Sequence, residues 1–255
     1  MRVTILGCGG SSGVPLIGNV WGDCDPDEPR NRRTRPSILV QEGDTTVLVD
    51  TSPDLREQLL RARVTRIDAV LFTHAHADHT HGIDDLRAMN WLMRAPIDVW
   101  ADAGTMASLD SRFGYCFKPQ NHRDSFVRPV LTPHIIAGPF SVGPITVSPF
   151  AQDHGYAPSL GFRFGPLAYS TDVVSLDEAA FAALDGVDTW IVDCVRLEPP
   201  HPVHAHWPIT RSWIERVRPR RAILTHMNHT MDYRTLLETL PPGVEPGHDG
   251  LVVEF

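Results

Sequence analysis

Short β-branched apolar runs recur along the chain, each closed by glycine, proline or polar residues, and such runs read as strands. They fall at residues 3–6, 37–40, 46–49, 69–73, 97–100, 145–150, 160–164, 167–170, 189–192, 222–225 and 251–255. Helical patterns lie between them. Residues 53–62 open on Ser52 and Pro53, a common helix entry. Ile83, Leu86, Met89 and Met93 repeat at helical spacing and turn one face to a core. Weaker helices are expected at 176–184, 210–217 and 231–240. Hairpin-spaced strands come first and strand–helix alternation follows, which predicts an α/β-type (α+β) sandwich with mixed sheets. Residues 111–133 interrupt the pattern with an irregular insert carrying Phe113, Tyr115, Phe117 and Phe126. It reads equally as a pocket wall or a packed surface loop. No repeat or linker divides the chain, so residues 1–255 are expected to form one domain.

Composition changes this picture little: 42% hydrophobic and 21% charged residues suit a soluble globular enzyme. No apolar stretch approaches the ~20 residues of a membrane span. The first residues lead into a strand without a signal-peptide pattern, so a cytoplasmic protein with no membrane partner is expected. Cys8, Cys24, Cys116 and Cys194 are far apart, which argues against a disulfide framework or a cysteine zinc knuckle. Net charge of −8 argues against non-specific nucleic-acid binding, which needs a basic surface. Arg30, Arg32, Arg33 and Arg35 are the local exception. They form either a solvated loop or a guanidinium cluster for an anionic substrate.

The chemistry concentrates in Thr73-His74-Ala75-His76-Ala77-Asp78-His79, directly after the apolar run 69–72. Neutral imidazole is the commonest metal-binding side chain, and a carboxylate completes a site for a divalent ion. His74 and His76 can grip one ion if the strand ends in a turn here, while Asp78 and His79 open the next helix and point nearby. The same grammar recurs. His154, Asp172 and His226 each follow an apolar strand, and strand ends of this kind converge in open α/β folds. Seven ligands result: His74, His76, Asp78, His79, His154, Asp172 and His226. Divided three and three with Asp172 shared, they leave room for water, as catalytic sites do.

The HxHxDH motif with these three later ligands resembles the metallo-β-lactamase fold superfamily. That resemblance spans essentially the whole chain and implies a four-layer αβ/βα sandwich with two mixed β-sheets and a two-metal cleft. It implies that His74, His76 and His154 hold one metal, that Asp78, His79 and His226 hold the other, and that Asp172 bridges them. Asp50 matches the early strand-end aspartate that supports the ligand loop. Residues 6–15 (LGCGGSSGVP), 224–229 (LTHMNH) and 247–250 (GHDG) are similar to the PhnP-like branch, the phosphoribosyl cyclic phosphodiesterases. The type member of that branch binds a structural zinc through several cysteines in the loop after the first strand. Here residues 22–28 offer only Cys24, so that zinc is not carried over.

The resemblance implies two divalent ions, zinc or manganese, and a metal-bridging hydroxide that attacks a small cyclic or nucleotide-like phosphodiester. Asp78 is expected to serve the chemistry as well as the metal. His206 and His229 are candidates for the proton donor or a phosphate contact. His201 and His204 are expected to lie in an ordinary exposed loop. The competing activities are a tRNA 3′-processing endonuclease of the same fold and a thioester or lactone hydrolase; the non-catalytic alternative is a metal-binding module. Assembly as a homodimer is left open.

Overall fold

The computed structural model describes residues 1–118 and 128–255, which places Phe126 outside the described residues. Strand alternation builds its layers. In β1 (Arg2–Gly7), β2 (Ser37–Glu42), β3 (Thr45–Val49) and β4 (Ala69–Leu71), successive side chains point to opposite faces. Val3, Ile5, Ile38, Val40, Val47, Val49 and Leu71 enter one core; Leu6, Leu39, Leu48 and Val70 enter another. Both faces are buried, so these strands read as nearly continuous apolar runs. With β5 (Ile97–Ala101), β6 (Leu131–Ile135) and β14 (Val252–Glu254) they form a seven-stranded sheet in the order β14-β1-β2-β3-β4-β5-β6.

The second sheet contains β7 (Phe140–Val142), β8 (Ile145–Asp153), β9 (Pro158–Phe164) and β10 (Leu167–Ser170), followed by β11 (Thr189–Asp193), β12 (Arg221–Thr225) and β13 (Val244–Pro246). Its order is β13-β12-β11-β10-β9-β8-β7. Each sheet is mixed: β3 to β6 and β10 to β13 run parallel, while antiparallel pairings complete the other half. Ile145, Val147, Phe162 and Leu167 meet the first sheet's Val3, Ile38 and Val47 in the core between the sheets. Helices α1 (Leu55–Arg61), α3 (Leu86–Met93) and α4 (Ala103–Phe113) cover the first sheet through Leu55, Leu86, Met89, Met106 and Leu109. Helices α5 (Glu178–Leu184), α6 (Trp207–Val217) and α7 (Tyr233–Thr239) cover the second through Leu184, Trp213 and Leu236. The expected four-layer αβ/βα sandwich is the observed fold. No helix among the described residues is long and apolar enough to cross a membrane.

The insert is smaller than its composition predicts. Residues 111–113 end α4, Gly114–Phe117 forms a 3₁₀ turn, and residues 131–133 open β6. Pro133 sits in that strand because β6 is an edge, where a missing N–H costs little.

Three non-glycine residues at strand ends adopt the left-handed conformation: Asp50 (φ 63°), Asp172 (φ 55°) and His226 (φ 57°). Asp and His tolerate that region better than most residues, and strain of this kind gathers where side chains must be aimed. A short helix, α2 (Ala77–Thr80), is held beside the end of β3. Thr51 N–H donates to His79 O at 2.8 Å, and Gly82 N–H donates to Thr51 O at 2.9 Å. Gly82 makes this approach possible, because a Cβ there would overlap the Ser52 carbonyl oxygen.

The arginine run has a structural use. Arg33 is buried, donating to Met231 O at 2.6 Å and to Asn31 Oδ1 at 3.2 Å. Arg35 pairs with Asp54 at 2.7 Å. Arg30 and Arg234 both grip the buried Glu28 carboxylate at 2.7 Å. The loop after β1 is thereby clasped to the start of α7. Arg30 first, and then Arg234, draw the Glu28 carboxyl from its ordinary 4.5 down to about 2, against the opposing effect of burial.

Two outcomes follow from this packing. Gly82→Ala is expected to cost about 1–3 kcal/mol through overpacking, read as a lowered urea midpoint; an unchanged midpoint removes the close approach as a constraint. Glu28 has a lower pKa folded than unfolded, so its contribution is present above pH 4.5 and fades as the pH falls toward 2. Glu28→Gln should therefore lose stability at neutral pH and show a shallower decline through that window. Parallel acid profiles for the two proteins would acquit this carboxylate.

Candidate metal centre

The carboxyl ends of strands β4, β8, β10 and β12 deliver the candidate ligands to one edge of the sandwich. His74 follows β4, His76 caps α2, and Asp78 and His79 ride on it. His154 leaves β8, Asp172 lies two residues beyond β10, and His226 follows β12. All seven meet. The donor atoms of His74, His76, His154 and Asp172 lie within 4.8 Å of one another, as do those of Asp78, His79, Asp172 and His226. Asp172 belongs to both sets. Its Oδ2 faces His74 Nε2 at 3.7 Å and His154 Nε2 at 3.4 Å; its Oδ1 faces His79 Nε2 at 3.0 Å and His226 Nε2 at 3.3 Å.

These spacings can be tested against a metal. Ligands about 2.05 Å from a tetrahedral zinc stand about 3.3 Å apart. The Nε2 atoms of His74, His79 and His226 and Asp78 Oδ2 are buried without a hydrogen-bond partner. Orphaned polar atoms in a protein interior are costly, so four that converge on two points call for an ion. Charge agrees. Burial alone would raise the Asp172 carboxyl, yet the rings of His226, His79 and His74 hold it well below the usual carboxylate range. Burial likewise opposes a charged His226, but Asp172 and Asp78 lift it to about 9. The carboxylates demand positive charge here, and the donor set fits divalent ions.

Outer contacts aim the rings. Asp50 Oδ2 accepts from His79 Nδ1 at 2.7 Å, which leaves Nε2 to face the site, and Asp50 also accepts from the Thr73 amide and hydroxyl at 2.8 and 2.9 Å. Because the Thr73 hydroxyl proton goes to Asp50, its oxygen is free to accept from His74 Nδ1 at 3.0 Å. His154 Nδ1 is held by Val203 O at 2.8 Å. Partners of this kind fix tautomer and orientation.

A cleft of about 470 Å³ opens on the two sets, lined in part by His76, His154, Asp172, His204, His226 and His229. His229 thus reaches the cleft as its sequence position suggests. His206 does not line it; it is buried at the N-cap of α6, with Nδ1 lacking a partner. His204 corrects the expectation of an exposed loop residue. It is 7% exposed, its Nδ1 meets Asp193 Oδ2 at 3.1 Å, and its ring stacks on His226 at 4.4 Å. One signal for this pair is present in the sequence: Asp193 ends an apolar strand much as Asp172 does. His201 sits against His204, and burial, His204 and Arg196 push it down to about 4, so it stays neutral. Arg30, Arg33 and Arg35 are engaged elsewhere, as described above.

Residues 45–227 match the β-lactamase superfamily domain. The chain belongs to the β-lactamase superfamily. A diphosphatase of the PhnP family, known from its crystal structure, superposes with a TM-score of 0.90 and 33% identity over 100% of this chain and 97% of its own. The superfamily member described here is therefore a metallo-β-lactamase fold protein of the PhnP-like branch, a branch of metal-dependent hydrolases. An octanoyltransferase of Porphyromonas gingivalis is 31% identical over 255 residues, 98% of this chain and 51% of that protein. A ribonuclease Z of Bradyrhizobium is 30% identical over 138 residues, 53% of this chain and 46% of that protein. The chain spans about half the length of these curated relatives.

Elemental analysis checks the centre. Asp172→Ala is expected to lose metal from both sets, whereas Asp50→Asn should weaken metal affinity about 10–100-fold by freeing the His79 ring. Full metal content in Asp172→Ala would end the shared-carboxylate scheme.

Proposed function

We propose that this chain is a binuclear phosphoesterase that hydrolyses a small phosphodiester or diphosphate. The observation that carries the reading is a single carboxylate, Asp172, presenting one oxygen to each of two converging donor sets at an open cleft. His74, His76, His154 and Asp172 would hold one ion; Asp78, His79, His226 and Asp172 would hold the other. When bound, such ions supply Lewis acidity at phosphoryl oxygens and bring the ionisation of water toward neutral pH. The diphosphatase named above supports phosphoryl chemistry over the other reactions of this fold.

The protein's own share includes the proton that an alkoxide or phosphate leaving group needs. His204 is suited to this because Asp193 holds its Nδ1, leaving Nε2 as the nitrogen for the cleft. A carboxylate so placed fixes the ring's orientation, so that Nε2 is the nitrogen positioned to donate where a leaving oxygen departs. His206, the donor suggested by sequence position, lacks the cleft position this role needs. His229 is assigned to contact with substrate phosphate. The ribonuclease Z relatives suggest an RNA substrate, but a net charge of −8 and a cleft lined by one arginine favour a small molecule.

The metal-loaded protein can be offered cyclic phosphates, nucleotide diesters, diphosphates and an octanoyl thioester. Turnover confined to the thioester would transfer the assignment to acyl chemistry. His204→Ala should lower kcat about 10²-fold or more on diesters with alkoxide leaving groups and far less on p-nitrophenolate. Equal losses on both would leave His204 without a proton-transfer role.

A further inference from the structure

The ligand histidines are aimed in two different ways. His79, His74 and His154 each have Nδ1 held, by Asp50, by Thr73 and by the Val203 carbonyl. His226 has no such partner: among the described residues, neither of its ring nitrogens is hydrogen-bonded. Its ring must still be pointed, because a metal site weakens when a donor is misplaced by a fraction of an ångström. Packing and backbone are what remain. The ring stacks on His204 with centroids 4.4 Å apart, and a Cβ at Gly10 would stand 3.6 Å from its Nδ1 and Cε1. The backbone at Gly10 therefore lies along the ring.

That backbone is paired with the residue after the ligand. Met227 N–H donates to Cys8 O at 2.9 Å, Gly10 N–H donates to Met227 O at 3.0 Å, and Gly9 forms a parallel bridge with Met227. Residues 8–10 lie past the end of β1, so their place depends on other contacts. Asp249, in the turn before β14, supplies them from a buried side chain. Its Oδ1 accepts from the Cys8 amide at 3.2 Å and faces Cys8 Sγ at 3.6 Å. Its Oδ2 accepts from the Thr34 amide at 2.9 Å, the Thr34 hydroxyl at 2.6 Å and Arg61 Nη2 at 3.2 Å. Thr34 O accepts in turn from Gly9 N–H at 2.8 Å. Hydrogen bonds to an ionised carboxylate are roughly twice as strong as neutral ones. One side chain thus ties the C-terminal segment, Thr34 and α1 to the residues that pair with Met227.

We propose that Asp249 is a positioning residue for the set formed by Asp78, His79, His226 and Asp172: through Cys8 and Met227 it fixes where His226 Nε2 stands, and metal affinity at that set depends on it. Asp249 touches neither ion nor substrate. This rests on the two-set reading of the centre and deepens it, because the two sets become separately tunable. His74 and His154, in the other set, are aimed by contacts that do not involve Asp249.

Zinc titrated into the metal-free full chain, followed by calorimetry, tests this. Wild type is expected to take up zinc in two steps, and His226→Ala identifies the step of its own set by abolishing it. Asp249→Asn keeps the size of the side chain but replaces one acceptor oxygen by a donor. It should weaken that step about 10–100-fold while the other changes less than about threefold. Thr34→Val removes one hydroxyl bond to Asp249 and leaves the carboxylate in place. A smaller loss in the same step is expected, so a folding defect in Asp249→Asn does not decide the outcome. A carboxylate that only stabilises the fold would weaken both steps alike or neither, and either result overturns the proposal. Uptake of a single ion by wild type would fail the two-set reading instead. Imidazole NMR spectra of the metal-free proteins, with the His226 signal assigned from His226→Ala, then decide the role of Asp249. That signal should move in Asp249→Asn and Thr34→Val while those of His74 and His154 stay; an unmoved His226 signal overturns it.

Discussion

One buried carboxylate organises this molecule. Asp172 lies in the interior with imidazoles against both of its oxygens, and an isolated anion in such a place would be prohibitively expensive. Everything around it manages that charge. His79 is aimed by Asp50, His74 is bridged to Asp50 through Thr73, and His154 is tethered to a backbone carbonyl. The backbone contributes too, since the residues that must turn sharply at their strand ends accept a left-handed conformation that few side chains tolerate. Local strain, buried charge and orphaned nitrogens are thus parts of one arrangement, and the packed sheets hold it in place.

The sandwich is legible in the sequence where burial is two-sided. The strands 37–40, 46–49 and 69–73 are apolar on both faces, and the residues immediately after them are polar, so strand end and ligand announce each other. The elements without such contrast escape. Strand β7 has three residues and β6 contains a proline and alternates weakly, while α4 has a diffuse apolar face, so none rises above its surroundings. The metal ligands are legible for the same reason as the strands they follow. His204 is not, because its burial depends on Asp193 at the end of a strand eleven residues earlier and on a proline-rich loop with no periodicity. The arginine run misleads in the opposite direction. Four cations in six residues look like a ligand site, but the fold brings Asp54 to Arg35 and Met231 to Arg33, while Arg30 is held by its near neighbour Glu28.

The loop after β1 shows how a related scaffold can close itself by other means. With Cys24 as the one cysteine of residues 22–28, it relies on Glu28 gripped by two arginines and on buried Arg33 reaching the segment that follows His226. Asp23 N–H also donates to His229 O at 2.9 Å, so this loop helps to set the cleft wall. Anchoring by hydrogen bonds and ion pairs ties the integrity of this loop to acidity.

The ligands come from both halves of the sandwich: His74 to His79 from the first sheet, His154, Asp172 and His226 from the second. Ions in the two sets would therefore act as rivets between layers that meet through an apolar core and a few hydrogen bonds, such as Leu160 N–H to Thr73 O at 2.9 Å. Affinity for metal and cohesion of the sheets are then two readings of one free energy, and each rises with the other by mass action. A hydrolase built this way is most rigid when it is ready to work.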